Sequence, residues 1–217
     1  MEIGAIFDWD GVVIDSSAAH ERSWELLAEE KNLPLPADHF KKGFGRKNQF
    51  IIPNLLNWTQ NTVEIEELSY RKEELYREII KRDGIDALPG IKELLQFLHS
   101  REIPCVVGTS TPRINVETII DVLGIREFFK DIVSAEDVTH GKPDPEVFLL
   151  GAKKIVREPN RCLVFEDAHY GIEAGINGGM KVVAVATTHP IEDLGAAHMQ
   201  VHRLSDLNYE AMLDLVR

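Results

Sequence analysis

The sequence lacks any apolar run of about 18 residues, the length that a membrane-spanning helix requires. Residues 1–20 contain acids instead of a basic start followed by an apolar stretch, so we expect no secretory leader and a cytoplasmic location. Cysteine is also scarce, because the chain contains only Cys105 and Cys162, both in apolar, strand-like segments. They are predicted to be buried, reduced thiols and not a disulfide framework.

Positive charge is in deficit as well. The 217 residues include 36 Asp and Glu against 24 Lys and Arg, which gives a formal net charge of −12. Such a surface repels nucleic acid and anionic membranes, so we expect neither as a partner. An anionic substrate would then need a local basic site, which makes single Lys and Arg residues informative. The hydrophobic fraction of 44% is typical of a globular protein with a real core.

Short apolar segments alternate with helical patterns through most of the chain. The predicted strands cover residues 3–7, 103–109, 131–134, 161–165 and 181–186. Asp144 and Pro145 predict a helix start between two of these strands, with an acid as N-cap and proline at the first helical position. The alternation predicts an α/β fold with a doubly wound parallel sheet, similar to a Rossmann core.

One long stretch interrupts this alternation. Residues 15–87 contain no strand-like segment and show helical patterns only. We therefore predict a core domain formed by residues 1–14 and 88–217, with an inserted α-helical cap domain at 15–87. Ligands of doubly wound sheets bind at the carboxyl ends of the strands. The insertion leaves the core directly after the first strand, so the cap is expected to cover that ligand site.

The first predicted strand ends in Asp8-Trp9-Asp10-Gly11. Side chains at i and i+2 of an extended segment point to the same face, so Asp8 and Asp10 are expected side by side. Two such charges are costly together unless a cation or a shared proton relieves them, and Gly11 allows a ligand to approach the backbone. Taken alone, the motif is also compatible with a calcium loop or an ordinary turn.

The second predicted strand is followed by three hydroxyl residues, Thr109, Ser110 and Thr111, directly before Pro112. Hydroxyl groups and helix N-termini bind phosphate oxygens well, which favours a phosphate site. The alternative is that Thr111 serves only as the N-cap of the next helix.

Two further loops carry charged groups. Lys142 lies just before a predicted helix start, where a cation is unfavourable unless it contacts an anion. Glu166 and Asp167 end another strand, and hard carboxylate oxygens of this kind suit Mg²⁺. Asp167 could alternatively cap the following helix.

The predicted cap contains three residues of interest. Lys72 lies on the apolar stripe of a helix, where it must either extend to solvent or line a polar cavity. His20 shares a helical face with Trp24, so it is either a core histidine or a substrate contact. Arg46 follows a glycine-containing loop and is either a ligand contact or a solvated surface residue.

The motifs Asp8-Trp9-Asp10-Gly11, Thr109-Ser110, Lys142-Pro143 and Glu166-Asp167 resemble, in this order, those of the haloacid dehalogenase-like (HAD) superfamily. The resemblance covers essentially the whole chain and is closest to the branch of β-phosphoglucomutase and small sugar phosphatases. It implies that Asp8 is the nucleophile and Asp10 the acid/base, and that Mg²⁺ is the cofactor. The implied site residues are Asp8, Asp10, Glu166 and Asp167 for the metal, Thr109, Ser110 and Lys142 for phosphate, and His20, Arg46 and Lys72 from the cap for the substrate.

This resemblance implies a Mg-dependent phosphatase that acts on a small phosphorylated sugar or sugar-like metabolite, a phosphorylated flavin precursor included. A β-phosphoglucomutase-type mutase is the alternative, and Arg46 and Lys72 favour it because a mutase must bind both ends of a bisphosphate. Against it, the segment after Ser110 is Thr111-Pro112-Arg113, the mutase's Lys-Asn pair near this point is missing, and Ser16 replaces a hinge threonine. A non-catalytic phosphometabolite-binding protein is a minor alternative, because no motif residue is lost. Dehalogenase activity is not expected, because the dehalogenases of this superfamily lack the second motif acid and the metal site. We expect a monomer or weak homo-oligomer.

Overall fold

The computed structural model describes residues 2–43 and 47–217. Within these residues, six strands form one parallel sheet in the order β3-β2-β1-β4-β5-β6. The strands are β1 (Gly4–Phe7), β2 (Cys105–Gly108), β3 (Phe129–Val133), β4 (Cys162–Glu166), β5 (Lys181–Val185) and β6 (Met199–Val201). This is the strand order of a Rossmann-like doubly wound sheet, so the predicted fold class is confirmed.

The central strands form because their residues are apolar and buried on both faces of the sheet. Ile6 of β1 is paired with Val106 on one side and with Val164 on the other, and all three are fully buried. Each of the five predicted strands is present. The edge strand β6 was not predicted, because it is only three residues long and contains an exposed polar residue, Gln200.

The helices that accompany the sheet are α5 (Ile91–Ser100), α6 (Arg113–Leu123), α7 (Glu146–Lys154), α8 (His169–Asn177) and α9 (Tyr209–Asp214). Short 3₁₀ turns lie at Arg126–Phe128, Ala135–Asp137, Pro159–Arg161, Ile191–Leu194 and Leu204–Asp206. Helix α7 begins one residue later than predicted, with Pro145 as the N-cap, and the Asp144 carboxylate accepts a hydrogen bond from the Glu146 amide at 2.9 Å.

The chain divides into two compact units, one formed by Met1–Asp15 with Ile85–Arg217 and the other by Ser16–Gly84. The first unit contains the sheet and is called the core unit below. Its apolar interior includes Phe7 and Phe165, whose rings stack 4.5 Å apart.

The second unit, called the helical unit, contains α1 (Ser17–Lys31), α2 (His39–Gly43), α3 (Asn48–Phe50), a π-helical turn (Ile51–Leu55) and α4 (Thr62–Asp83). Asn61 caps α4 by accepting hydrogen bonds from the amides of Val63 and Glu64. The unit has its own apolar core, which includes Trp24, Leu27, Ile52, Leu68 and Leu75. No helix in the described ranges has both the length and the apolar content needed to cross a membrane.

Parallel strands place their carboxyl ends on one edge of the sheet, and this edge is where ligands of such sheets bind. Asp8 follows β1 directly and Thr109 follows β2. Glu166 ends β4, Asp167 comes next, and Thr188 lies in the loop after β5. The fold therefore gathers the predicted motifs of the core unit at one edge.

Candidate active site

The loop after β1 is shaped by backbone hydrogen bonds around a buried tryptophan. The Asp8 amide donates to the Phe165 carbonyl at 3.0 Å, and the Trp9 carbonyl accepts from the Val13 amide at 2.9 Å. Trp9 is fully buried and packs edge-on against Phe129, with the ring centroids 6.3 Å apart. The buried indole of Trp9, which lies between Asp8 and Asp10 in the sequence, thus anchors this loop in the core.

Three acids of this edge form a compact group, the acid cluster of Asp8, Glu166 and Asp167. One carboxylate oxygen of each lies within 4.8 Å of the others. Burial, together with the charge of Glu166, raises the pKa of Asp8 to about 7 against the lowering effect of Lys142. Burial and the charge of Asp8 likewise raise the pKa of Asp167 to about 7. Burial is the largest cause of both shifts, so this edge of the sheet disfavours the charged forms of Asp8 and Asp167.

Lys142 is the cation of this cluster. Its ammonium lies 3.0 Å from Asp8 Oδ1 and 2.7 Å from Glu166 Oε1, with only 10% of the side chain exposed. Burial by itself lowers the pKa of Lys142, but the charges of Asp8 and Glu166 outweigh this effect and raise it above its ordinary value. The lysine is therefore held in its charged form beside the predicted nucleophile.

Glu166 is tied down by the protein at both oxygens. Oε1 accepts from Lys142, and Oε2 accepts from the amides of Asp167 and Ala168 at 2.7 and 2.8 Å. A Cβ at Gly171 would overlap this carboxylate, so glycine is required there for the close approach. Glu166 thus orients Lys142 and the backbone of Asp167.

Gly11 gives Asp167 its place in the cluster. The glycine has a φ of +78°, a conformation that side chains rarely adopt, and a Cβ at this position would overlap the Asp167 carboxylate. The glycine of the Asp8-Trp9-Asp10-Gly11 motif thereby brings the loop after β1 against the acid that follows β4.

Thr188 is a site residue that the sequence analysis missed. Its hydroxyl donates to Asp167 Oδ2, and the neighbouring His189 ring lies 3.1 Å from the Asp167 carbonyl oxygen. The structure does not use Asp167 as a helix cap, because the N-cap of α8 is Ala168 and no side chain caps that helix. The signal in the sequence that could have indicated Thr188 is its position shortly after the strand β5.

Asp10 is held by Thr111, whose hydroxyl donates to Asp10 Oδ2, and its charge is one of the causes that raise the pKa of Asp167. Thr111 does not cap α6, because the N-cap is Pro112 and the side chain that accepts from the first helical amide, that of Arg113, is the Glu136 carboxylate at 3.1 Å. Thr109 is buried and its hydroxyl accepts from the Thr111 amide at 3.1 Å, whereas Ser110 is exposed. The structure therefore gives Thr111, predicted only as a phosphate donor or a cap, a direct contact with an acidic motif residue.

The donor set fits a divalent cation. In the described part of the chain, three carboxylates of the acid cluster face the single ammonium of Lys142. Hard oxygen ligands with excess negative charge suit Mg²⁺, which usually binds a few carboxylates and keeps several waters. Asp8 and Asp167, whose pKa values are raised, are the carboxylates that gain most from a bound cation.

A second polar group lies within the helical unit. In this cap cluster of His20, Lys72 and Glu73, the Lys72 ammonium lies 2.7 Å from His20 Nδ1 and 2.9 Å from Glu73 Oε1. The His20 ring stacks on Tyr76 at 4.1 Å, and Lys72 is only 3% exposed. Lys72 therefore does not extend its ammonium to solvent, and the helical unit holds it in a polar site together with His20.

Glu73 was missed because it directly follows Lys72, and adjacent helical residues normally face different directions. Burial alone raises the pKa of Glu73, but Lys72, His20 and a 2.8 Å hydrogen bond from Asn48 outweigh it and lower the pKa to about 2. The third predicted cap residue, Arg46, lies outside the described residues.

A family model described as haloacid dehalogenase-like hydrolase matches residues 4–179, and the chain belongs to this family. Its relatives include the chloroplastic 5-amino-6-(5-phospho-D-ribitylamino)uracil phosphatase of Arabidopsis thaliana, 39% identical over 95% of this chain and 56% of the relative. The chain thus spans little more than half the length of that protein. Fructose-1-phosphate phosphatase of Escherichia coli (strain K12) is 31% identical over 84% of this chain and 95% of the relative.

Among solved structures, β-phosphoglucomutase from Clostridium difficile has a TM-score of 0.84 and 26% identity, and the match covers all of this chain and 97% of that chain. These findings confirm the resemblance drawn from the motifs. The family, together with the phosphatases among the relatives, supports a phosphoric monoester hydrolase.

Proposed function

We propose that the protein is a magnesium-dependent phosphatase that hydrolyses a small phosphorylated sugar or sugar-like metabolite through an aspartyl-phosphate intermediate. The observation that carries the proposal is the acid cluster at the carboxyl ends of β1 and β4, with the Lys142 ammonium 3.0 Å from Asp8. The relatives named as phosphatases of phosphorylated metabolites support the reaction class.

Asp8 is the nucleophile of this proposal. Its carboxylate oxygen forms a bond to phosphorus in line with the leaving oxygen, whose bond to phosphorus breaks. Lys142 stabilises negative charge on the transferring phosphoryl oxygens, and Thr109 and Ser110 offer further donors near the same strand ends. Asp8 and Asp167, with the Asp10 carbonyl, would hold Mg²⁺, whose positive charge would reduce the repulsion between an anionic phosphate and the anionic nucleophile.

Asp10 is the general acid and base. It gives a proton to the leaving oxygen while Asp8 becomes phosphorylated, and it then takes a proton from the water that attacks the phosphorus. The bond between Asp8 and phosphorus breaks in this second step and inorganic phosphate leaves. His20, Arg46 and Lys72 are proposed to contact the substrate beyond its phosphate.

The substrate class follows from the relatives and from the cap cluster. The Arabidopsis relative acts on a phosphorylated ribityl compound, and the Escherichia coli relative acts on a phosphorylated ketose. His20 and Lys72 offer the hydrogen-bonding groups that a polyol chain requires, beside the aromatic faces of Trp24 and Tyr76. We therefore propose a phosphorylated sugar or sugar alcohol, with the ribityl compound as the first one to test.

The structural likeness to β-phosphoglucomutase favours a phosphosugar mutase as the second candidate. A mutase must bind both phosphates of a bisphosphate intermediate, so it needs further cations near the core site. The mutase's Lys-Asn pair is missing near Arg113, and the Arg113 guanidinium is bound by the Asp137 carboxylate at 2.7 Å and the Ile132 carbonyl at 2.8 Å. This engagement supports the phosphatase.

A phosphate-release screen over sugar and sugar-alcohol phosphates, with Mg²⁺ or with a chelator, tests the proposal. We expect release with Mg²⁺ only, and a loss of at least about 10³-fold in kcat/KM for Asp8→Asn. Asp121→Asn, the same change at an exposed residue of α6, is the matched control. Full activity of Asp8→Asn would exclude the aspartyl-phosphate. Conversion of β-glucose 1-phosphate to glucose 6-phosphate faster than phosphate release would favour the mutase.

A further inference from the structure

We propose that Thr111 is a positioning residue that holds the Asp10 carboxylate in the orientation for proton transfer to the leaving oxygen. The proposal rests on the proposed function, because it concerns how Asp10 acts as the acid. Its basis is the hydrogen bond from the Thr111 hydroxyl to Asp10 Oδ2, which joins the loops after β2 and β1.

The backbone of Thr111 is fixed on both sides. Its amide donates to the Thr109 hydroxyl at 3.1 Å, and its carbonyl accepts from the Ala135 amide at 3.3 Å. The Thr109 amide in turn donates to the Val133 carbonyl of β3 at 2.9 Å. Thr111 is thus attached to two neighbouring strand ends, so its hydroxyl has a defined position relative to the sheet.

The side chain of Thr111 is also restricted. A β-branched residue has few χ1 rotamers, and the residue before a proline is kept out of the helical region. Pro112 takes the N-cap position of α6 with an extended ψ of 138°, and the amide of Arg113 at the start of the helix donates to the Glu136 carboxylate at 3.1 Å. The Thr111 hydroxyl therefore does not serve as a helix cap at α6, and it donates its proton to Asp10 instead.

This contact distinguishes the two oxygens of Asp10. A hydroxyl has one proton to donate, and a carboxylate oxygen that receives it acts as an acceptor. With Oδ2 accepting from Thr111, the Asp10 carboxyl group has a fixed orientation. It gives its proton to the leaving oxygen as the bond from that oxygen to phosphorus breaks, and the carboxylate later receives a proton from the attacking water.

Thr111→Val tests this role because valine keeps the shape of the side chain and removes the hydroxyl. The value of kcat/KM is measured with Mg²⁺ on p-nitrophenyl phosphate, whose leaving group needs little protonation, and on the alkyl phosphate hydrolysed best in the screen. General acid catalysis contributes about 10²–10⁴-fold, so a misplaced acid is expected to lower kcat/KM for the alkyl phosphate by about tenfold or more. For p-nitrophenyl phosphate we expect a change within about threefold, and Thr111→Ser should restore the alkyl activity.

The ratio of the two kcat/KM values is independent of the fraction of enzyme that is folded, so partial unfolding does not obscure the result. Asp10→Asn separates the proposed acid role of Asp10 from the positioning role of Thr111. It should lower the ratio of the alkyl-phosphate value to the p-nitrophenyl phosphate value further than Thr111→Val does. If Asp10→Asn leaves the ratio unchanged, the acid role of Asp10 in the proposed function is wrong. If Asp10→Asn lowers the ratio and Thr111→Val does not, only the role of Thr111 is wrong. Thr118→Val, which removes a hydroxyl within α6, is the control and should leave the ratio unchanged.

Discussion

The acid cluster of the core unit and the cap cluster of the helical unit balance buried charge in opposite ways. In the acid cluster three carboxylates lie close together, two of them paired with the ammonium of Lys142, and burial raises the pKa values of Asp8 and Asp167 to about 7. In the cap cluster, one carboxylate meets a lysine and a histidine, and the pKa of Glu73 is lowered to about 2. The first arrangement gains from an added cation, whereas the second is already matched.

Both clusters use burial to strengthen electrostatic interactions, so the contrast lies in their composition. Lys142 and Lys72 are both buried, with 10% and 3% of their side chains exposed. Removal of one partner from a buried ion pair leaves an uncompensated charge, which is far more costly than the loss of a surface pair. The same substitution of each lysine by methionine therefore allows the charge balance of the two clusters to be compared.

The largest effect is expected for Lys142→Met, which leaves the carboxylates of Asp8 and Glu166 without their cation. In metal-free protein we expect a loss of about 3–5 kcal/mol in the free energy of unfolding. Activity should fall by about 10²-fold or more, because a preorganised charge near the phosphoryl group is lost. Denaturant unfolding and phosphate release measure the two effects.

Lys72→Met is the counterpart in the cap cluster and separates charge balance from general destabilisation. Mg²⁺ should stabilise the Lys142→Met protein more than it stabilises the wild type, since the metal supplies the missing positive charge. For Lys72→Met the gain from Mg²⁺ should equal that of the wild type. An equal gain in all three proteins would mean that the acid cluster does not bind the metal.

Glu73→Gln tests the opposite pKa shift of the cap cluster. The folded-state pKa of Glu73 is lowered from 4.5 to about 2, so its stabilising contribution is fully present above pH 4.5 and is lost as the pH falls toward 2. The contribution is at most about 3.5 kcal/mol, because each pKa unit corresponds to about 1.4 kcal/mol. The difference in unfolding free energy between wild type and variant should be constant from pH 8 to 5 and shrink below pH 4.5.

A difference that instead grew on acidification would show that Glu73 is protonated in the folded protein. Glu78→Gln, on the same helix and largely exposed, is the control and should cost little at any pH. The comparison of Glu73→Gln with Glu78→Gln thus decides whether the charge of Glu73 is balanced by its partners in the cap cluster.

Much of the core site was accessible from the sequence, because buried parallel strands leave a strong apolar signal and their ends mark one edge of the sheet. Asp8, Glu166 and Asp167 follow from that rule, whereas Lys142 was found from its position before a helix, where a cation needs an anionic partner. The rule locates residues but does not assign hydrogen bonds. Thr111 precedes a proline and a helix, a context that predicts a cap equally well, and its partner Asp10 lies 101 positions away.

The cap cluster was less accessible for a related reason. Helical periodicity places Lys72 on an apolar face, but it cannot show whether the ammonium reaches solvent or meets a partner from another helix. His20 of α1 and Asn48 of α3 approach Lys72 and Glu73 of α4 only through tertiary packing. The short strand β6 escaped prediction because three residues carry almost no periodicity.

Thr188→Val tests whether a residue outside the acid cluster supports metal binding by that cluster. The Thr188 hydroxyl orients the Asp167 carboxylate, and loss of such an outer partner typically weakens metal binding by about 10-fold or more. A titration with Mn²⁺, followed by electron paramagnetic resonance, measures the affinity directly. Thr188→Ser should retain it, and Thr187→Val, at the exposed neighbouring position, should leave it unchanged. Unaltered Mn²⁺ affinity in Thr188→Val would remove the threonine from the metal site.

The last prediction concerns the reactivity of the two thiols, both of which lie in the core unit. Burial raises the pKa values of Cys105 and Cys162 to about 12, so both stay protonated at pH 8 in the folded protein. The thiolate is the reactive form, and we expect native labelling by a disulfide reagent to be roughly 10³-fold slower than that of a free thiol. Because each thiol reacts only when its strand is exposed, labelling in denaturant reports unfolding of the core unit apart from the helical unit. Single Cys→Ser variants assign the two rates, and rapid labelling of either native thiol would mean that the strand carrying it opens independently.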